Sequence, residues 1–183
     1  HAVSVPARHV GGDFFDYFFV DERVLTVVVA DVSGKGVPAA IFMAVARTVI
    51  RDLAMAGKRS PGEVLNEANA LLVKENSQGM FVTMFVGQYD TLTGELRFAN
   101  AGHPAAYVIN GSGETRRCGE STGTVLGVIP DERFADKSSR LQPGERVVFF
   151  TDGVSEARAA DGSFYTEQRF EVLLTTFGSE TVQ

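Results

Sequence analysis

An α+β fold is what this sequence predicts, and three observations carry the prediction. Two helical stretches come in a block, Pro38 to about Ala56 and then Pro61 to about Glu75. Short apolar, β-branched runs lie before and after that block, joined by turn-forming residues into hairpins. The strict strand–helix alternation that marks a parallel sheet is missing. A chain of 183 residues with 44% hydrophobic content is long enough for one well-buried core, so a single domain over residues 1–183 is expected.

The elements follow in order. Val3 to Val10 reads as a strand broken by Pro6. Phe14 to Val20 is an aromatic-rich strand, Asp21-Glu22-Arg23 its turn, and Val24 to Ala30 its hairpin partner. Pro38 begins a helix that is apolar almost all round, which predicts burial on most sides. Arg47, Arg51 and Asp52 mark its wetter face. Ser60-Pro61-Gly62-Glu63 is a capping box with proline in the first turn. The helix behind it carries Val64, Leu65, Ala68, Leu71 and Leu72 as one stripe. Phe81 to Tyr89 and Glu95 to Asn100 form a hairpin across Asp90 to Gly94. Ala105 to Ile109 is a strand, and Glu114 to Arg117 pairs back across Asn110-Gly111-Ser112-Gly113. Arg133 to Leu141 and Glu145 to Phe150 flank the turn Gln142-Pro143-Gly144. A loop from Val154 to Ser163 precedes a last helix, about Glu167 to Thr176.

The chain is organised around Ala30-Asp31-Val32-Ser33-Gly34-Lys35-Gly36. A carboxylate stands where a buried strand ends, and a glycine-rich loop leads into a helix. An unpaired buried charge is costly. Asp31 is therefore either a metal ligand or an aspartate that caps the loop or helix. The pattern recurs. Val147-Val148-Phe149-Phe150 runs into Thr151-Asp152-Gly153, and Gly11-Gly12 precedes Asp13. Glycine beside each acid suggests close backbone approach. The first hairpin brings Asp13 and Asp31 to one end. Hard oxygen ligands without cysteine or histidine partners favour Mg²⁺ or Mn²⁺ over zinc.

Four motifs in this order resemble one family: Gly11-Gly12-Asp13-Phe14-Phe15-Asp16, Ala30 to Ala40, Asn100-Ala101-Gly102-His103-Pro104, and Thr151-Asp152-Gly153-Val154-Ser155-Glu156-Ala157. The family is the SpoIIE/RsbU-like branch of the metal-dependent type 2C protein serine/threonine phosphatases. The resemblance spans nearly the whole chain. It implies an α/β/β/α sandwich, two stacked antiparallel sheets flanked by helices. It implies hydrolysis of phosphoserine or phosphothreonine by direct attack of hydroxide held by two Mn²⁺ or Mg²⁺ ions, without a phospho-enzyme. Matched motif by motif, Asp13 and Asp31 would bind or bridge the metals, the Val32 carbonyl would be a further ligand, and Asp152 would hold one ion. Asp16 is either a residue orienting a metal-bound water or a turn residue, the former slightly favoured. The helix pair is where the family switches its activity. The implied substrate is a phosphorylated regulatory protein of the anti-sigma-factor-antagonist type, with an upstream sensor or regulatory domain in the longer protein.

One departure from the family's pattern bears on activity. The family closes its site with a last aspartate, in an Asp-Asp or Asp-Asn pair before a final strand, and nothing after Asp152 fits. The chain also starts inside a strand-like stretch. A catalytic fragment with weakened metal binding and little turnover is the expectation. A phosphatase-fold scaffold that has lost turnover is the alternative.

Composition narrows the field. A net charge of −6 argues against nucleic acid or an anionic membrane as the main partner. No apolar run approaches the roughly 20 residues that span a bilayer, and no signal segment opens the chain. One cysteine, Cys118, excludes an internal disulfide framework and suits a cytoplasmic setting. Its thiol reads as incidental.

The cation that would bind phosphate is either Arg8, shortly before Asp13, or Lys35 in the glycine loop, unless both are surface residues. His103 is a general acid or, more in keeping with its loop, a hydrogen-bonded histidine. His9 is a plain strand residue. Gly119-Glu120-Ser121-Thr122-Gly123 matches the serine-hydrolase elbow, but no helix follows it. The glycine loop lacks the spacing of a Walker A motif. Asn110-Gly111-Ser112 is a sequon that reads as a turn.

Overall fold

The structure is a computed structural model and describes residues 1–5 and 11–176. The expected first strand falls partly outside them. Residues 3–5 carry no strand, and Arg8 and His9 lie outside the described residues.

The first hairpin forms as predicted. β1 (Phe14–Phe19) pairs antiparallel with β2 (Val24–Val32), Phe14 opposite Ala30 and Phe19 opposite Leu25. Asp21 builds the turn, its Oδ1 accepting from the N–H groups of Arg23 and Val24 at 2.7 and 2.8 Å. β2 runs past Ala30, so Asp31 lies within the strand rather than after it. There it stands opposite Thr83 of β3 (Val82–Asp90).

Strand alternation sorts the side chains of this sheet onto two faces. Phe14, Phe18, Val28, Ala30, Val32, Val82, Met84 and Val86 face two helices, α1 (Val37–Met55) and α2 (Pro61–Glu75). Ala46, Ile50, Val64, Leu65 and Leu72 close over them and are almost fully buried. Each large apolar side chain so buried contributes about 1.5–3 kcal/mol. The α2 capping box is complete: Ser60 N–H donates to Glu63 Oε2 at 2.8 Å, and Ser60 Oγ accepts from Glu63 N–H at 3.3 Å. Burial of these helices is narrower than their apolar content predicts. Val37, Ile41 and Val45 form an exposed stripe along α1, and Leu71 of α2 is exposed. Only one side of each helix meets the sheet, and among the described residues no further layer covers the other.

β4 (Glu95–Ala101) and β7 (Lys137–Arg140) complete a five-stranded antiparallel sheet in the order β1-β2-β3-β4-β7. A second sheet has the order β6-β5-β8, from β5 (Ala106–Ile109), β6 (Thr115–Cys118) and β8 (Arg146–Val148). The long strand expected from Arg133 is shorter, and its partner is β4 rather than the segment after the turn. Phe134 is drawn under α2, where its N–H donates to Asn66 Oδ1 at 2.9 Å. Gln142-Pro143-Gly144 therefore carries the chain from one sheet to the other.

Phe85, Leu96, Phe98, Val108 and Cys118 fill the space between the sheets, Phe85 stacking on Phe98 with ring centroids 5.6 Å apart. On the outer face of the second sheet, Tyr107, Ile109 and Phe150 pack against Phe170 and Leu174 of a C-terminal helix. Residues Asp152–Ser155, at the head of the expected loop, form a one-turn helix, α3; that C-terminal helix is α4 (Glu167–Thr176). The layers are thus helix, sheet, sheet, helix, the predicted sandwich. Among the described residues no helix is long and apolar enough to cross a membrane.

Candidate functional site

Continuing the β1–β2 register by one residue sets Asp13 opposite Asp31, on the face that looks toward the second sheet. Asp152 arrives from β8 as the first residue of α3. The three carboxyls feel one another. The Asp31 carboxyl is pushed up to about 8 by burial first, then by hydrogen bonding to Asp13 and the charges of Asp13 and Asp152. Burial, then the charges of Glu156 and Asp13, raises the Asp152 carboxyl, while Lys35 opposes the shift. Asp13, Asp31 and Asp152 are thus near enough to act on one another's charge. They adjoin without closing tightly: among the described residues no group of three His, Cys, Asp or Glu side chains forms a cage for an ion.

Gly12 explains the glycine before Asp13. A Cβ there would stand 2.6 Å from the Val32 carbonyl oxygen. Only hydrogen fits, so the backbone just before Asp13 packs closely against the Val32 carbonyl, next to Asp31.

Thr151 is the residue that sequence reasoning missed. Its Oγ1 donates to Asp13 Oδ2 at 2.7 Å and so ties the two ends of the chain together at the site. A hydroxyl directly before Asp152 was visible in the sequence, but nothing local showed which acid it would serve.

His103 is structural, as its loop setting suggested. It is 4% exposed, and its ring bridges Thr83 Oγ1 through Nδ1 and the Phe150 carbonyl through Nε2, both at 3.1 Å. A carbonyl can only accept, so Nε2 carries the proton and Nδ1 accepts from the threonine. Burial lowers its pKa to about 4 against the pull of the Phe150 carbonyl and the Asp13 charge. The neutral ring therefore fastens β3, beside Asp31, to the strand end that delivers Asp152. Asn100 supports it: Oδ1 accepts from His103 N–H at 2.7 Å, and Nδ2 donates to the His103 and Gly119 carbonyls at 2.9 and 2.5 Å.

Asp16 is a correction. It shares a face with Phe14 and Phe18 and points to the helices, away from Asp13 and Asp31. Arg51 of α1 holds both its oxygens at 2.9 and 2.8 Å and lies over the Phe18 ring, while Arg47 Nε stands 3.3 Å away. With two residues between Asp13 and Asp16, strand alternation puts them on opposite faces, so Asp16 clamps a helix instead of orienting a water.

The remaining candidates resolve simply. Ser121 bonds the Gly123 and Asn100 carbonyls within a loop that no helix follows, which removes the hydrolase elbow. Asn110 Oδ1 accepts from Ser112 and Glu114 N–H groups in a turn. Cys118 is 3% exposed inside the intersheet core, and burial raises its thiol pKa.

Comparison with known proteins adds the lineage. The family model described as Stage II sporulation protein E (SpoIIE) matches residues 21–183. Phosphoserine phosphatase RsbU of Bacillus subtilis is 32% identical over 161 residues, 88% of this chain and 48% of that protein. The structure of the RsbU and RsbW domains of Rv1364c from Mycobacterium tuberculosis superposes with a TM-score of 0.80 at 31% identity, covering 97% of this chain and 48% of that one. The SiaA-PP2C domain of Pseudomonas aeruginosa gives a TM-score of 0.83 at 25% identity, covering 96% of this chain and 70% of that one. The chain spans between a third and a half of the curated relatives that it matches. Motif order, sandwich architecture and matched length agree, and the chain belongs to the SpoIIE family.

Proposed function

We propose that this domain is a metal-dependent protein serine/threonine phosphatase. The observation that carries the reading is the nearness of Asp13, Asp31 and Asp152 to one another at one end of the sandwich. Its RsbU, Rv1364c and SiaA relatives support the activity.

The donor chemistry fits divalent ions. Three carboxylates and the Val32 carbonyl are hard oxygen donors, suited to Mg²⁺ or Mn²⁺. Burial first, and then the neighbouring carboxylates, raise the Asp31 carboxyl, and a cation bound there would oppose that shift. Asp13, Asp31, Val32 and Asp152 would hold the metal, two ions being expected. When bound, the ions would neutralise phosphate charge and lower the pKa of a coordinated water. The described acids do not close a cage, and a further oxygen ligand from outside them would complete the set.

The chain's own residues do the positioning. Thr151 fixes Asp13, and His103 with Thr83 and Asn100 fixes the strand ends that carry Asp31 and Asp152. In the reaction a water oxygen forms the new bond to phosphorus, the ester P–O bond breaks, and the departing serine or threonine oxygen takes a proton. We place the substrate on a regulatory protein of the anti-sigma-factor-antagonist type, as the RsbU and RsbP relatives suggest. The test is release of phosphate from a phosphoserine peptide with and without Mn²⁺. Mn²⁺-dependent release that Asp152→Asn abolishes supports the reading; release equal in wild type and variant, or none with Mn²⁺ present, defeats it.

A further inference from the structure

Beyond Asp152 the chain is ordered by its own backbone. α3 ends at Ser155, and residues 157–165 fold into a small antiparallel hairpin in which Arg158 stands opposite Phe164. Ala159 N–H donates to the Ser163 carbonyl and Gly162 N–H to the Ala159 carbonyl, both at 2.9 Å. Asp161 Oδ1 accepts from Ser163 N–H at 2.9 Å and completes the turn. At the open end, Tyr165 N–H donates to the Ala157 carbonyl at 2.7 Å. Thr166 N–H reaches back to the carbonyl of Ser155 at 2.8 Å. Asp152 and Ser155 are the two ends of one helical turn, a rise of about 4.5 Å. Covalent chain and a backbone hydrogen bond therefore root the hairpin beside Asp152.

The hairpin displays one cation. Across residues 151–166 Arg158 is the sole basic residue, set among Asp152, Glu156 and Asp161. Its guanidinium carbon lies 4.6 Å from the centre of the Phe164 ring. Both residues are exposed, Phe164 at 44%. Arg158 makes no salt bridge with any described carboxylate, whereas Arg23, Arg47, Arg51, Arg59, Arg116 and Arg117 all hold one. A ring beneath the guanidinium steadies its plane and leaves the N–H donors along its edges open to a planar anion.

We propose that Arg158, seated on Phe164, binds an acidic side chain of the phosphoprotein substrate, close in sequence to its phosphoserine. The inference rests on the phosphatase reading and adds a sequence preference to it. Arg158 lies six residues beyond Asp152, so their Cα atoms are at most about 20 Å apart. An extended peptide covers that span in about six residues. A peptide with its phosphoserine at Asp152 thus meets Arg158 with a residue no more than about six positions away. A carboxylate matches the guanidinium fork with two parallel hydrogen bonds. Asp152, Glu156 and Asp161 repel the same group, so Arg158 decides whether an acid is accepted there.

The test uses peptides with one phosphoserine and a single Asp, moved through the positions within about six residues on either side. Each has an Asn counterpart. Wild type, Arg158→Gln and Arg158→Lys, all as the whole chain, are compared by kcat/KM at saturating Mn²⁺ and by calorimetric Kd. Wild type is expected to favour Asp over Asn about fivefold at one or two adjacent positions, the upper range for an exposed ion pair. That preference should shrink as salt is raised. Arg158→Gln should abolish it and Arg158→Lys keep part of it. p-Nitrophenyl phosphate has no flanking acid, and its turnover should fall less in Arg158→Gln than that of the preferred peptide. The proposal is overturned if wild type favours Asp at no position, or if the preference survives Arg158→Gln. Equal losses on peptide and p-nitrophenyl phosphate also overturn it, since Arg158 would then support the fold or the site. If wild type hydrolyses nothing with Mn²⁺ present, the phosphatase reading has failed. The ratio of Kd values for Asp and Asn peptides then decides the role of Arg158 on the same terms.

Discussion

The Thr151 hydroxyl donates to the Asp13 carboxylate at 2.7 Å across a sequence separation of 138 residues. One hydrogen bond thus joins the loop before β1 to the start of α3. It leaves one oxygen of Asp13 committed and orients the other. Thr151→Val keeps the shape and removes the donor. Partners of this kind around metal ligands are worth about 10–100-fold in metal affinity. A loss in that range is expected by Mn²⁺ calorimetry, with Thr151→Ser close to wild type.

Gly12→Ala places a methyl 2.6 Å from the Val32 carbonyl, a backbone atom that cannot swing aside. Overpacking of this kind costs about 1–3 kcal/mol. Urea denaturation should show a loss of that size, larger than for alanine at the open positions Gly57 or Gly111.

The clamp on Asp16 is unequal. Arg51 grips both oxygens and covers Phe18, whereas Arg47 touches one oxygen at 3.3 Å. Both arginines are about half exposed, which screens the pairs. Arg51→Met is expected to cost about 1–2 kcal/mol, a charge-assisted bidentate contact reduced by that screening. Arg47→Met should cost clearly less. Chemical denaturation of the two variants checks the order.

The ion-free protein should lose stability at both ends of the pH range. Folded Asp31 holds a proton up to about pH 8 that the unfolded chain releases near 3.8, so stability declines as pH rises toward 8. Folded His103 refuses a proton until about pH 4, whereas the unfolded chain takes one near 6.5. Its contribution is lost as pH falls from 6.5 to 4. Denaturation curves in EDTA from pH 4 to 8 should show Asp31→Asn flattening the alkaline decline and His103→Gln flattening the acid one.

Much of this was legible in the sequence because it is local. The turn at Asp21, the Ser60 capping box and the two hairpins are set by neighbours in the chain. Asp13 and Asp152 stood out for a related reason, each beside glycine near a strand, while Asp31 stood out as a charge in an apolar run; the hairpin register that sets Asp13 opposite Asp31 is likewise local. What escaped was long-range. Arg133 to Leu141 has strand composition, yet Phe134 is pulled under α2 by a pocket that only the assembled helices create. The apolar stripe on α1 predicted burial, but burial needs a covering layer and the sheet reaches one side only. Asp16 looked like part of the acid group until strand alternation turned it toward Arg51. Thr151 needed the fold to reveal its partner.

The central claim is that Asp13, Asp31 and Asp152 act as one site for divalent cations. Calorimetric titration of Mn²⁺ into wild type and Asp31→Asn, both stripped with EDTA, tests it most directly. The account predicts saturable binding by wild type and a loss of about 100-fold or more in the variant, the consequence of removing a charged ligand from the shared group. Equal affinities, or no binding by wild type, would contradict it.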